Sequence, residues 1–169
     1  MDKVHIIYGS TTGTTEAIAE RIASDFGTVA LNVNAVGPEA LEAELLILGT
    51  STWGFGDLQD DWVATGLGLI ENANLQGRRV ALFGIGDSQG FADTFCDGMA
   101  ALAEAVTARG ATLVGTLPLD AFAGVTSKIA QDGHLVGLAL DELNESDKTE
   151  GRLTDWEALV RSQAGLPVA

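Results

Sequence analysis

The sequence predicts an α/β fold: a single domain over residues 1–169, built on an open, doubly wound, mostly parallel sheet with helices on both faces. Three observations carry this expectation. Short apolar runs of strand length recur along the chain; segments with helical apolar spacing alternate with them; no internal repeat, low-complexity tract or proline-rich linker divides it. At 46% hydrophobic residues over 169 positions, a sizeable core can be buried.

The first strand is read at VHIIY (4–8) and is followed by GSTTGTTE (9–16). The first helix places Ile18, Ile22 and Phe26 on one face and closes at Gly27. ALNV (30–33) and LLILG (45–49) are the second and third strands, and Trp62, Leu69 and Ile70 mark the next helix. VALFGI (80–85) is the fourth strand; a helix carrying Phe95, Met99, Leu102 and Val106 closes at Gly110. TLVG (112–115) and LVGLAL (135–140) are the last strand-like runs, and a final helix carries Leu153, Trp156, Leu159 and Val160. Most of these strand runs lack polar alternation, which suits strands covered on both faces.

The formal charge is −15, from 24 acidic against 9 basic residues. That disfavours nucleic acid or an anionic membrane as partner, and fits either a basic protein partner or an acidic surface kept for solubility. The single cysteine, Cys96, has no internal disulfide partner and no companion for a metal site. His5 and His134 lack metal-spaced neighbours and read as structural or surface residues. Nothing at the amino terminus resembles a signal peptide, and no apolar run approaches the ~18 residues of a membrane span. A soluble, cytoplasmic protein is expected.

In doubly wound sheets ligands bind beyond the carboxyl ends of the strands, and three loops fall there. The first, residues 9–16, offers two glycines and the hydroxyls of Ser10, Thr11, Thr12, Thr14 and Thr15, with no lysine or arginine. A helix amino terminus binds phosphate through its unpaired N–H groups alone. The nucleoside-triphosphate loop is excluded, because Gly9 and Gly13 are four apart and Thr14 stands where its lysine belongs. The second loop, TSTWGFGDLQDDW (50–62), carries Trp53 and Phe55 between glycines, where exposed aromatics suit a flat apolar guest. The third, FGIGDSQGFADTF (83–95), again sets an aromatic, Phe91, among glycines and acids.

Tyr8 through Glu16, Thr52–Trp53, Leu58–Gln59, Asp61–Trp62, Phe83–Gly84, Gly86–Asp87, Gly90 through Asp93 and GLALDELNESDKT (137–149) together resemble the flavodoxins over essentially the whole chain. The stretch of roughly 20 residues between TLVG and LVGLAL is similar to the long-chain members, whose fifth strand is interrupted. The resemblance implies a five-stranded parallel sheet in the order 2-1-3-4-5, of which this family is itself a standard example. It implies non-covalently bound FMN and no enzymatic activity: a low-potential one-electron carrier cycling mainly between semiquinone and hydroquinone.

Carried over to this chain, Ser10, Thr11, Thr12, Gly13, Thr14 and Thr15 would hold the phosphate. Ser51 would bind the cofactor, Thr52 would meet the ribityl chain, Trp53 one face of the isoalloxazine, and Phe91 the other. Gly54–Phe55 would supply a peptide that turns on reduction, Gly84, Ile85, Gly86 and Asp87 would reach the pyrimidine edge, and Asp120 would stand near the ribityl end. Implied partners are basic-faced redox proteins, such as a flavodoxin/ferredoxin–NADP reductase as donor and a low-potential acceptor such as nitrogenase or a photosynthetic or radical enzyme; a monomer is expected.

Three features depart from the family pattern. Phe91 replaces the usual tyrosine, Gly54 replaces a bulkier residue, and the insertion PLDAFAGVTSKIAQDGH (118–134) lacks the tyrosine-containing stretch of long-chain members. Asp57, Asp87 and Asp93 are expected to disfavour an anionic reduced flavin; with Asp60, Asp61 and Asp97 they lie in or beside the flavin loops and fit either a negative face that steers basic partners or ordinary solvated loops. The competing reading is an FMN-dependent NAD(P)H:quinone oxidoreductase. A phospho-receiver domain is excluded, since Gly9–Ser10 and Gly49–Thr50 occupy the places of its acids.

Overall fold

The structure, a computed structural model, describes residues 2–167. Its central sheet runs β2 (Ala30–Asn32), β1 (Asp2–Tyr8), β3 (Ala43–Trp53), β5 (Arg79–Ile85), then β10 (Leu138–Leu140), all parallel. The fifth position is shared by two short strands on the same edge of β5. β6 (Thr112–Val114) pairs with Arg79–Ala81, and β10 with Phe83–Ile85. Between them the chain leaves the sheet and builds a three-stranded antiparallel ribbon, β7 (Leu117–Pro118), β9 (His134–Leu135) and β8 (Ala130–Gln131). The predicted order with an interrupted fifth strand is therefore observed.

Two cores flank the sheet, because successive residues of a strand point to opposite faces. Ile6, Leu45, Ile47 and Phe83 lie under α1 (Thr14–Asp25) and α4 (Ser146–Ala164), which contribute Ile18, Ile22, Trp156 and Val160. Ile7, Leu46, Leu48 and Leu82 lie under α2 (Leu67–Glu71) and α3 (Asp97–Thr107), which contribute Ile70, Met99, Leu102 and Val106. Both faces are buried, which explains why the strands read as unbroken apolar runs.

Three local differences from the sequence reading shape the site. β3 continues to Trp53 and turns back into the two-residue β4 (Asp57–Leu58), so Thr52 and Trp53 end a strand instead of sitting in a loop. The turn is closed by Gly56 N–H donating to the Trp53 carbonyl at 3.2 Å, with Gly54 at φ +54° and Gly56 at φ +105°, conformations that glycine adopts without strain. Before α2 lies a π-turn, Trp62–Gly66, in which the buried indole packs so closely on Gly66 that a Cβ there would stand 2.1 Å from Trp62 Cε3. Phe95 falls outside α3: Cys96 adopts φ +57° and breaks the helix, leaving Phe95 buried in the approach to it.

Candidate functional site

A cavity of about 600 Å³ opens beyond the carboxyl ends of β3, β5 and β10 and beside the entry to α1, within the ~300–1,000 Å³ range of cofactor sites. Four segments form it. The approach to α1 gives Thr12, Thr14 and Thr15, and the end of β3 gives Ser51, Thr52, Trp53 and Gly54. The chain after β5 gives Ile85, Gly86, Asp87, Phe91, Thr94, Phe95 and Cys96, and the turn after β10 gives Glu142 and Leu143. None of these lining side chains is cationic, and two are carboxylates.

The threonine-rich loop is held open by its neighbours. Gly13 is the residue before α1, at φ +93°, and no side chain caps the helix, which leaves its first N–H groups directed outward. Gly13 N–H donates to Ser10 Oγ at 3.1 Å, and the buried Gln59 donates through Nε2 to Thr11 Oγ1 at 3.1 Å. Those hydrogen bonds order the loop without filling it. Ser10, Thr11 and Gly13 thus shape the loop beside the wall, whereas Thr12, Thr14 and Thr15 form the wall itself.

Trp53 is 41% exposed and Phe91 46%, both on the wall, each with a face that the protein does not cover. Phe55, 88% exposed, meets Phe91 edge-on with ring centroids 6.1 Å apart. It is not among the residues that line the cavity. Thr52 Oγ1 accepts from Gly98 N–H at 2.8 Å, which keys the end of β3 to the start of α3. Ser51 Oγ is buried without a hydrogen-bond partner among the described residues.

The acids divide into two groups. Asp57, Asp60 and Asp93 are exposed, and Asp61 accepts from Asn34 Nδ2 at 2.7 Å. Asp97 is turned inward at 5% exposure, accepting from Lys128 N–H at 2.9 Å, so it does not join the negative face the sequence suggested. Asp87 accepts from the N–H groups of Gly90 and Gln89 and from Asn144 Nδ2; the Gly90 N–H above all holds its carboxyl below the usual range. The fully buried Asp141 accepts from Ser88 and Asn144, and although burial pushes it up, these hydrogen bonds hold it low. Burial pushes the Cys96 thiol up, so at the cavity wall it is a neutral thiol and not a reactive thiolate.

Besides Ser10, Thr11, Gly13 and Phe55, two more predicted residues lie away from the wall. Gly84 is one residue below it, where a Cβ would stand 3.1 Å from Met99 Cβ. Asp120 is exposed on the turn Leu119–Ala121, because the pairing of Pro118 with His134 carries that turn out onto the inserted ribbon. Thr94, Phe95, Cys96, Glu142 and Leu143 line the cavity without having been singled out. For Glu142 and Leu143 the signal was present, since they directly follow an apolar run at the carboxyl edge of the sheet. Phe95 and Cys96 gave none, because a helical apolar pattern hides a turn. His5 Nδ1 lies 2.7 Å from the Ala40 carbonyl and His134 Nδ1 3.2 Å from that of Asp132. Among the described residues no group of three His, Cys, Asp or Glu is placed to hold a metal, and no helix is long and apolar enough to cross a membrane.

The family profile described as Flavodoxin matches residues 6–156. The flavodoxin of Synechococcus elongatus is 38% identical over 98% of this chain and 100% of its own length. Flavodoxin 1 of Escherichia coli is 38% identical over 95% and 94% respectively. The crystal structure of Fusobacterium nucleatum flavodoxin bound to flavin mononucleotide superposes with a TM-score of 0.88, at 30% identity, covering 96% of this chain and 99% of that one. Fold, cavity position and sequence agree, and the chain belongs to the flavodoxin family.

Proposed function

We infer that this protein is an electron carrier that holds FMN non-covalently in the 600 Å³ cavity and passes electrons to and from redox partner proteins. The observation that carries the assignment is the combination of chemistry gathered on one wall. It joins a cation-free helix entrance, Ser51 and Thr52, and two half-exposed rings, Trp53 and Phe91. That combination suits a ligand with a phosphate, a polyhydroxyl chain and a flat heteroaromatic ring. The orphaned Ser51 Oγ supports it, since a buried hydroxyl without a partner is costly unless a ligand completes it.

FMN, when bound, supplies the one-electron chemistry, and the chain's residues bias it. Ser10 through Thr15 orient the phosphate by N–H and hydroxyl donors. Trp53 and Phe91 exclude water from the ring faces. Asp87 and Glu142 at the wall, with Asp141 behind, place negative charge where added electron density is disfavoured, which favours a low potential. The exposed Asp57, Asp60 and Asp93, with an overall charge of −15, suit brief docking of a basic-faced partner. A flavodoxin/ferredoxin–NADP reductase fits as donor and a low-potential enzyme such as nitrogenase, or a photosynthetic or radical enzyme, as acceptor. The carrier acts as a monomer in the cytoplasm.

The deciding experiment is stepwise anaerobic reduction of the purified protein followed by absorbance, with the released cofactor identified by mass. FMN, with long-wavelength absorbance rising and then falling in two separate steps, is expected. A single two-electron bleach with steady NAD(P)H-dependent quinone turnover overturns the carrier reading, and a protein that takes up no FMN overturns the cofactor.

Gly54→Ala tests the turn at the end of β3. Gly54 lies at φ +54°, where alanine is strained by roughly 1 kcal/mol, and a built Cβ stands 3.2 Å from Asp57 Oδ2. A 54–55 peptide that must exchange between two conformers is restricted by that strain. The variant is expected to show less long-wavelength absorbance at half-reduction than the wild type; identical titrations would rule the turn out.

A further inference from the structure

The inserted segment between β6 and β10 touches the cavity wall from behind. Ser127, itself buried, donates through Oγ to the Phe95 carbonyl at 2.6 Å. Lys128 N–H donates to Asp97 Oδ1 at 2.9 Å, and the Phe122 ring packs on the Phe95 ring with centroids 4.6 Å apart. Between these two anchored residues stands Cys96, at φ +57° and 0% exposed. A side chain other than glycine is strained in this left-handed region, and such a conformation persists only where its surroundings hold it. Phe95 and Cys96 are both part of the wall, and Gly98, two residues on, is keyed to Thr52 on the opposite side.

We propose that the insertion is a buttress of the cofactor cavity: Ser127 and Lys128, acting through Phe95 and Asp97, hold the strained turn at Cys96 in the shape that forms the wall. The proposal gives the segment a positioning role toward the bound ring and rests on the FMN reading above. The insertion reaches the site by hydrogen bonds to the backbone of residue 95 and the carboxylate of residue 97, without itself touching the cavity through Ser127 or Lys128. When these anchors are removed, Cys96 is free to relax out of the left-handed region, and the wall must be rebuilt each time the cofactor binds.

The test is a set of FMN titrations on the full-length protein, paired with thermal midpoints of the FMN-free and FMN-loaded forms. Ser127→Ala and Asp97→Ala are each expected to raise the FMN dissociation constant about tenfold, the size of one lost hydrogen bond that leaves a buried partner unmet. Asp97→Asn keeps an acceptor oxygen and is expected to bind close to wild type. The strain itself is read in two backgrounds. Cys96→Gly removes the left-handed penalty, so Ser127→Ala added to it should change FMN affinity by less than about threefold. Cys96→Ala removes the sulfur but keeps the penalty, so there the tenfold loss should remain.

A contact that serves only overall stability would lower both thermal midpoints equally and leave the dissociation constant unchanged; that outcome, or equal effects of Ser127→Ala in the two backgrounds, overturns the buttress. Should the wild type take up no FMN, the functional reading fails instead. The buttress is then judged by amide hydrogen exchange at residues 96–98 of the FMN-free protein. Faster exchange in Ser127→Ala, abolished by Cys96→Gly, supports it, and unchanged exchange overturns it.

Discussion

Riboflavin, which lacks only the phosphate, is expected to bind on the order of a thousandfold more weakly than FMN, a difference of about 4 kcal/mol. The entrance to α1 offers backbone N–H groups left without a capping side chain and the hydroxyls of Thr12, Thr14 and Thr15 at the wall. Hydrogen bonds to a charged acceptor contribute roughly 1.5–3 kcal/mol each, and a dianion engaging a few of them reaches the stated total after desolvation is discounted. Among the described residues no Lys or Arg lines the cavity, and the chain carries a net charge of −15. The long-range field therefore repels the phosphate, and added salt, which screens that repulsion, should leave FMN affinity unchanged or raise it. A phosphate site built from lysine and arginine would weaken instead. Isothermal titration of the FMN-free protein with both ligands, at low and moderate salt, decides it. Riboflavin within tenfold of FMN, or FMN affinity that collapses with salt, would show that the loop is not the phosphate site.

Glu157→Gln is expected to stabilise the protein by about 2 kcal/mol at pH 8 and by much less at pH 5.5. Glu157 is 7% exposed on α4, and its carboxyl is pushed up to about 7, first by burial and then by the neighbouring Asp25 on α1. Arg21 and Arg161 also face it and oppose the shift, and Asp25 is itself held by Arg21 Nε at 2.9 Å. Glu157 therefore stays protonated in the folded protein up to about pH 7, while in the unfolded chain it ionises near 4.5. Stability is whole below pH 4.5 and falls as pH rises from there through about 7, by up to about 3 kcal/mol before allowance for relaxation. Glutamine keeps a hydrogen-bond donor toward Asp25 and cannot ionise, so it removes that loss. Urea unfolding of the FMN-free protein at a series of pH values measures the gap between wild type and variant. A gap that does not widen between pH 5.5 and 8 would show that Glu157 ionises in the folded state as it does in the unfolded chain.

Much of the candidate site was legible because its signals are local. A helix entrance crowded with hydroxyls and free of cations reads as an anion loop from residues 9–16 alone, and aromatics flanked by glycine at 53, 55 and 91 read as a flat-ligand site wherever strands end. Residues whose position depends on contacts far along the chain were not legible. Asp97 looked like one more surface acid, yet the Lys128 amide, 31 positions away, draws it inward. Asp120 looked placed for the ribityl chain, yet strand pairing within the insertion turns it to solvent. Phe95 fitted a helical stripe, and only the left-handed turn at Cys96 takes it out of α3 and sets it against both Phe122 and the cavity.

Local sequence was enough for the alternation of strands and helices, the two-faced burial of the sheet and the three loops that border the cavity. These follow from apolar periodicity and from glycine and threonine within a few residues of one another. Tertiary structure alone decided which acids face solvent, how far β3 runs before it turns, and that the insertion leans on the Cys96 wall. Each of those depends on hydrogen bonds and ring contacts between segments distant in the chain, and such contacts acquire their energy only when the packed core has brought both partners to one place.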